Sequence, residues 1–289
     1  MRKILKPGDT IGIIACSNGI SLKNKEKINK LEIVLDSLNL KIIYGNDIYR
    51  KQSIYNDNSK EKAQGLMKLF KDKSVKAIFD LSGGDLANGV LNHLDFNEIT
   101  SNRKPFFGYS DLSVLLNPLW CISGVETYYY QIRNLVGLHK DEQIRFFKEF
   151  LFEGKRNLLE FNYDWIRGKE ISGEVVGGNL RCFLKLAGTK YIPVFKDKVL
   201  FLESLGGDSS KITTYLTQYK QIGAFDSIKG IILGTFTEME EKKYSPKVEE
   251  ILLNILGDAD IPIIKTYELG HGQDSKSIII GGKIQLIKV

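Results

Sequence analysis

Histidine and cysteine are both scarce in this chain, with three of each among 289 residues. The cysteines, Cys16, Cys121 and Cys182, are widely spaced and odd in number, and no Cys-x-x-Cys pair occurs. That pattern excludes a zinc ribbon and a disulfide framework and fits reduced thiols. No apolar run approaches the ~18 residues that mark a membrane-spanning helix. The early run IGIIAC follows Pro7, Gly8 and Asp9 and is too short for a signal-peptide core, so the expected location is cytoplasmic. Charge of one sign is also lacking. The formal charge of +6 comes from 41 basic and 35 acidic residues that are interspersed, with no basic stripe carrying aromatics. Nucleic acid is therefore not an expected partner, and neither is a membrane. The dinucleotide fingerprint G-x-G-x-x-G is absent, and the segment GGDSSKIT is not a phosphate-binding loop because no glycine precedes Lys211. No ligand cluster for a metal is visible, so the chain is expected to need neither metal nor cofactor.

What is present is an alternation of strand-like and helix-like segments. TIGIIAC reads as a buried strand, followed by a helix with Ile28, Leu31, Leu35 and Leu38 on one face. LKIIYG, VKAIFDLS, KPFFGYS and VETYYY read as further strands, separated by amphipathic segments such as the one bearing Ala63, Leu66, Met67 and Phe70. Strands separated by helices of this length predict a mostly parallel sheet covered on both faces. We place this unit at residues 1–136, a junction helix and linker at 137–170, and a second α/β unit, richer in β, at 171–289. In the second unit VLFLES, KGIILGTF and IPIIKT read as strands and SKITTYLTQYKQIG as a helix. The terminal SIIIGGKIQLIKV reads as a β-ribbon turning at Gly281-Gly282.

Three places carry candidate chemistry. Ser110, in FFGYSDLSVLL, stands between a strand and a helix, where open parallel sheets bind ligands and where a helix start offers N–H groups. A nucleophile there would have the Asp111 N–H beside its oxyanion, although from this stretch alone a helix cap is the commoner reading. Gly83-Gly84 in LSGGDLANG allow close backbone approach and a second oxyanion donor; a tight turn is the plain alternative. A serine needs a base. His93 falls in an apolar helical run and His139 in the charged junction, whereas His271 is flanked by glycines in ELGHGQD. Glu203, at the end of a very apolar strand, is an acceptor for the second imidazole nitrogen if buried, and a plain surface acid if not.

The order and surroundings of these residues resemble the LD-carboxypeptidase family of serine peptidases, which includes the microcin C self-immunity peptidases. The resemblance runs over nearly the whole length, from LKPGDTIGIIACS through VKAIFDLSGG, KPFFGYSDLSVL and VVGGNLRCFLKLAGTKYIP to VLFLES, IKGIILGTF and ELGHGQDSKSIIIGGKIQL. It implies a flavodoxin-like N-terminal domain with a swivelling-type, β-rich C-terminal domain, commonly as a homodimer. It also implies a Ser110–Glu203–His271 triad with oxyanion donors around Gly83, Gly84 and Asp111. Ser82 and Asp85 stand where the family usually has Arg and Tyr, and Tyr130-Gln131-Ile132 replaces a His/Tyr-Gly-Pro segment. With Asn179 of the Gly-Gly-Asn-Leu block, Ser82 and Asp85 are the expected substrate-binding positions. A missing arginine removes a bidentate carboxylate binder, so recognition of a free C-terminal carboxylate is expected to differ.

The function that follows is a serine carboxypeptidase cutting the L,D-amide bond of murein-derived tetrapeptides and releasing D-alanine. An immunity-type peptidase acting on a peptide- or aminoacyl-nucleotide antibiotic is the alternative, with Trp165 as a possible wall for a base. A muropeptide-binding protein on the same frame, without turnover, is the reading from another class.

Overall fold

The five-residue run TIGII is apolar enough to be buried on both faces, and in the computed structural model it forms β1 (Thr10–Ile14), with only Thr10 at its start short of full burial. The structure describes residues 2–50 and 58–288. Around β1 lie β2 (Lys41–Tyr44), β3 (Val75–Asp80), β4 (Phe106–Gly108) and β5 (Thr127–Tyr129), all parallel, in the order β5-β4-β3-β1-β2. That is the flavodoxin-like order, whose crevice opens where connections leave β1 and β3 in opposite directions. Helices α1 (Lys25–Ser37), α2 (Ser59–Lys71), α3 (Phe96–Ser101), α4 (Ser113–Ser123) and α5 (Lys140–Lys148) accompany the strands. The α1 stripe turns Ile28, Leu31 and Leu35 inward, as its 3.6-residue period requires.

The second sheet contains β6 (Asp164–Arg167), β7 (Glu170–Asn179), β8 (Lys198–Ser204), β9 (Gly230–Phe236) and β10 (Ile263–Lys265). Strands β7 to β10 run parallel, β6 closes one edge antiparallel, and α6 (Leu180–Phe183), α7 (Ser209–Gln221), α8 (Thr237–Glu241) and α9 (Val248–Leu256) complete the unit. The segment 137–170 thus contains α5, the turn after it and β6.

The chain end departs from the expected ribbon. Ile278–Ile280 form β11, which pairs antiparallel with β5 of the first sheet, whereas Lys283–Ile287 form β12, which pairs with β7 of the second. Gly281-Gly282 is therefore a crossing between sheets and not a hairpin. Gly281 has φ +83°, and a Cβ there would lie 1.9 Å from the indole nitrogen of Trp120, so only glycine passes this point.

One apolar core runs through both units, from Leu66, Leu69 and Leu115 to Val176, Phe201 and Leu233. At its centre α4 is buried almost all round, and the Asn117 side chain both donates to the Gly177 carbonyl (2.8 Å) and accepts its N–H (3.0 Å). Burying leucines such as Leu115, Leu116 and Leu119 contributes about 2 kcal/mol each, which holds the two sheets in fixed register across α4. No helix among the described residues is long and apolar enough to cross a membrane.

Candidate active site

Strand β4 ends at Gly108, and the backbone then turns sharply enough to give Ser110 a φ of +56°. A non-glycine residue in this left-handed region carries strain of roughly 1–3 kcal/mol, held in place by its surroundings. Those surroundings are specific: the Ser110 N–H donates to the Tyr129 hydroxyl (3.0 Å), and the Ser113 hydroxyl donates to the Ser110 carbonyl (2.6 Å). The turn lifts the Ser110 hydroxyl out of the first turn of the helix that follows.

His271 approaches from the second unit. Its Nε2 is 3.2 Å from Ser110 Oγ, and its Nδ1 is 2.5 Å from Glu203 Oε2. The backbone N–H of His271 donates to Thr235 Oγ1 (3.0 Å), and the ring packs against Tyr109 at 4.4 Å between centroids. Gly270, with φ +135°, is obligatory here: a Cβ would lie 2.1 Å from Thr235 Oγ1 and 3.0 Å from Glu203 Oε2. Glu203 is 0% exposed, so its charge must be met by partners. Oε1 accepts from Tyr129 Oη (2.6 Å) and Asn179 Nδ2 (2.9 Å), while Oε2 faces the imidazole. Burial, reinforced by the nearby Glu203 carboxylate, pushes the Tyr129 phenol well above its usual range and keeps it a donor. Tyr129 thus joins the serine turn to the acid, a link that no local sequence pattern announces.

Gly83 faces the serine: a Cβ on it would sit 3.9 Å from Ser110 Cβ. Gly84, at φ +129°, passes against the Asn18 side chain, whose Oδ1 accepts from the N–H groups of Asp85 (2.8 Å) and Leu86 (3.2 Å). The N–H groups of Gly83, Gly84 and Asp111 donate to no group among the described residues. The Asp111 carboxylate is itself buried, accepting from Ser17 Oγ (2.6 Å), the Ala87 N–H (2.9 Å) and Lys185 Nζ (2.5 Å). Lys185→Met leaves this carboxylate without its cation and is expected to destabilise the protein by about 3 kcal/mol, read by urea unfolding.

The expected substrate-binding positions fare differently. Ser82 is fully buried, its hydroxyl donating to Asp80 Oδ1 (2.6 Å) and accepting the Ser17 N–H (2.8 Å), so it presents nothing to a ligand. Asn179 is turned inward onto Glu203 and also accepts the Cys182 N–H (3.2 Å), which makes it a positioning residue for the acid. Asp85 is exposed and ion-paired with Arg181, with Lys185 Nζ at 3.9 Å. A polar residue at a strand end faces inward or outward according to pleat and neighbours, which sequence does not specify. Trp165 lies on edge strand β6 of the second sheet, packed on Tyr163 (6.1 Å), three strands from Glu203. Asn18, Tyr129, Lys185 and Thr235 were not legible as site residues. Among the described residues no group of three or more His, Cys, Asp or Glu side chains could hold a metal ion.

Residues 11–130 match the model of the LD-carboxypeptidase N-terminal domain and residues 172–286 that of the LD-carboxypeptidase C-terminal domain. The chain belongs to the LD-carboxypeptidase family. It is accordingly an enzyme of the serine peptidase type. Among curated relatives it is 26% identical to a probable murein peptide carboxypeptidase of Bacillus subtilis, covering 97% of this chain and 89% of that protein. It is 24% identical to the microcin C7 self-immunity protein MccF of Escherichia coli, covering 98% and 91%. A solved structure of MccF in complex with aspartyl sulfamoyl adenosine matches 98% of this chain and 94% of that one, at TM-score 0.83 and 22% identity. The fold of the LD-carboxypeptidase chain, a flavodoxin-like unit joined to a β-rich α/β unit, agrees with that likeness.

Proposed function

We propose that this LD-carboxypeptidase family member hydrolyses the L,D-amide bond of murein-derived tetrapeptides and releases D-alanine. The observation that carries the reading is the continuous path from Ser110 Oγ through His271 to buried Glu203, at 3.2 and 2.5 Å, beside N–H groups that have no partner among the described residues. In this scheme Ser110 Oγ attacks the carbonyl carbon while its proton passes to His271 Nε2. The N–H groups of Gly83, Gly84 and Asp111 receive the negative charge that develops on the carbonyl oxygen. The C–N bond breaks as His271 returns the proton to the D-alanine nitrogen. Water then attacks the Ser110 ester, giving its proton to His271 Nε2, which returns it to Ser110 Oγ as the ester C–O bond breaks and the tripeptide leaves as a carboxylate. Glu203 fixes the Nδ1–H tautomer and offsets the imidazolium charge throughout. The protein would act in the cytoplasm, as its reduced thiols suggest, and as a homodimer, as the family resemblance implies.

A second reading, hydrolysis of an amide in an aminoacyl or peptidyl nucleotide, is favoured by the full-length similarity to MccF. Mass spectrometry of products from a murein tetrapeptide and from aspartyl sulfamoyl adenosine separates the two. Release of D-alanine from the first supports the murein reading, and cleavage of the second alone overturns it.

A further inference from the structure

Strand β5 ends at Tyr129, which touches both Ser110 and Glu203, and the chain continues through Gln131 to Arg133. Gln131 is only 6% exposed, and its Oε1 accepts the Arg133 N–H at 3.2 Å. Flipping the amide would set its NH2 against that N–H, so the orientation is fixed. Its Nε2 then lies buried with no hydrogen-bond partner among the described residues. Arg133 repeats the pattern: Nε is buried without a partner, and the guanidinium enters no salt bridge among the described residues. Buried donors are rarely left unpaired in native proteins, because each costs the full desolvation of the group. Each of these two orphans calls for an acceptor.

A second cation lies beside them. Lys27 of α1 faces Arg133, and burial together with that guanidinium holds its ammonium below the usual lysine range. Burial likewise lowers the basicity of Arg133, and the Tyr109 and Asp80 side chains within its electrostatic reach offset this in part. Asp80 is already the acceptor for Cys16 N–H (2.7 Å) and for the Ser82 hydroxyl (2.6 Å). Tyr109 is the residue before Ser110 and packs on His271. The cations of the second unit named above are taken: Arg181 pairs with Asp85 and Lys185 with Asp111. Ser82 leaves no cation before Gly83-Gly84.

We propose that Arg133 and Gln131, supported by Lys27, form a subsite for an oxyanion of the substrate beside Ser110. Its first candidate ligand is the free carboxylate of a peptide, and its second the acidic linkage of an aminoacyl nucleotide. The inference rests on the peptidase reading for which molecule bears the anion, but not for the existence of the subsite. It makes Arg133 a specificity-determining residue that binds without taking part in bond making.

Binding to Ser110→Ala protein separates the subsite from turnover. Affinities are measured by calorimetry for a murein tetrapeptide, for its C-terminal amide and for aspartyl sulfamoyl adenosine, with and without Arg133→Met. Loss of a charge-assisted pair is expected to weaken the free-acid peptide by about 10- to 100-fold and to leave the amide unchanged. Arg133→Lys should recover part of the loss. Since the Arg133 side chain hydrogen-bonds to no protein group among the described residues, the melting temperature should not fall. A loss confined to the nucleotide assigns the anion to that linkage instead. Equal losses on acid and amide, no loss on any ligand, or no binding by Arg133-intact protein overturns the subsite. Arg133-dependent binding without D-alanine release by the Ser110-intact protein overturns the murein peptidase reading and leaves the subsite standing.

Discussion

Ser110→Ala is expected to slow amide hydrolysis by about 10⁶-fold, the loss seen when a serine peptidase is deprived of its nucleophile. The size follows from what remains. N–H groups poised for the oxyanion and the substrate contacts survive, but among the described residues no other hydroxyl is hydrogen-bonded to His271 Nε2. The fold should be indifferent to the change, because the Ser110 hydroxyl has no hydrogen-bond partner other than His271 among the described residues. Alanine tolerates φ +56° no better and no worse than serine, so the strained turn persists with its ties to Tyr129 and Ser113. Substrate depletion assays on both proteins, with circular dichroism melts beside them, read activity and stability apart. Turnover by the alanine variant within tenfold of wild type would place the nucleophile elsewhere.

The same turn shows why some of the site was legible and some was not. Ser110, Gly83 and His271 each carry a local signature, a strand end followed by a turn or glycine pair, because backbone geometry at a sheet's carboxyl edge demands particular residues. Glu203 was legible for a different reason, as a charge ending an apolar strand. Tyr129 is different: it sits in an aromatic run, VETYYY, where Tyr128 and Tyr130 are equally buried and only the pleat decides which ring reaches Glu203. Tyr130 instead donates to Gln143 (2.9 Å) on the other face of the sheet. Lys185 and Asp111 lie 74 residues apart, and nothing local tells that they meet. The misread ribbon has a similar origin. A glycine pair between two apolar runs is the sequence of a hairpin turn, but β5 and β7 each offer an open edge, and pairing with both extends two sheets instead of closing one hairpin. Ser82 and Asn179 failed as ligand contacts because a short polar side chain at a strand end can satisfy a buried acid as readily as a substrate.

Glu203→Gln, nearly unchanged in shape, is expected to cost about 10⁴-fold in kcat. The substituted amide has one acceptor and one NH2 where the carboxylate had two acceptors. Placing the NH2 at Oε1 sets it against the Asn179 NH2, and Asn179 cannot turn over without giving up the Cys182 N–H that its Oδ1 accepts. The NH2 is therefore driven to the Oε2 side, facing His271 Nδ1. There it donates, so Nδ1 must give up its proton and Nε2 must carry one. An imidazole protonated at Nε2 cannot accept the Ser110 proton, which removes the base without moving an atom far. Loss of the buried charge also removes what offsets the imidazolium formed during the attack. The variant should stay folded, because the Tyr129 and Asn179 donors keep an acceptor. Two measurements check this account: a kcat drop that persists at high pH, where a merely weakened base would recover, and a shift of the His271 tautomer by ¹⁵N chemical shift. A Glu203→Gln protein retaining kcat within tenfold, or holding its proton on Nδ1, would show that the acid neither orients His271 nor supports its charge.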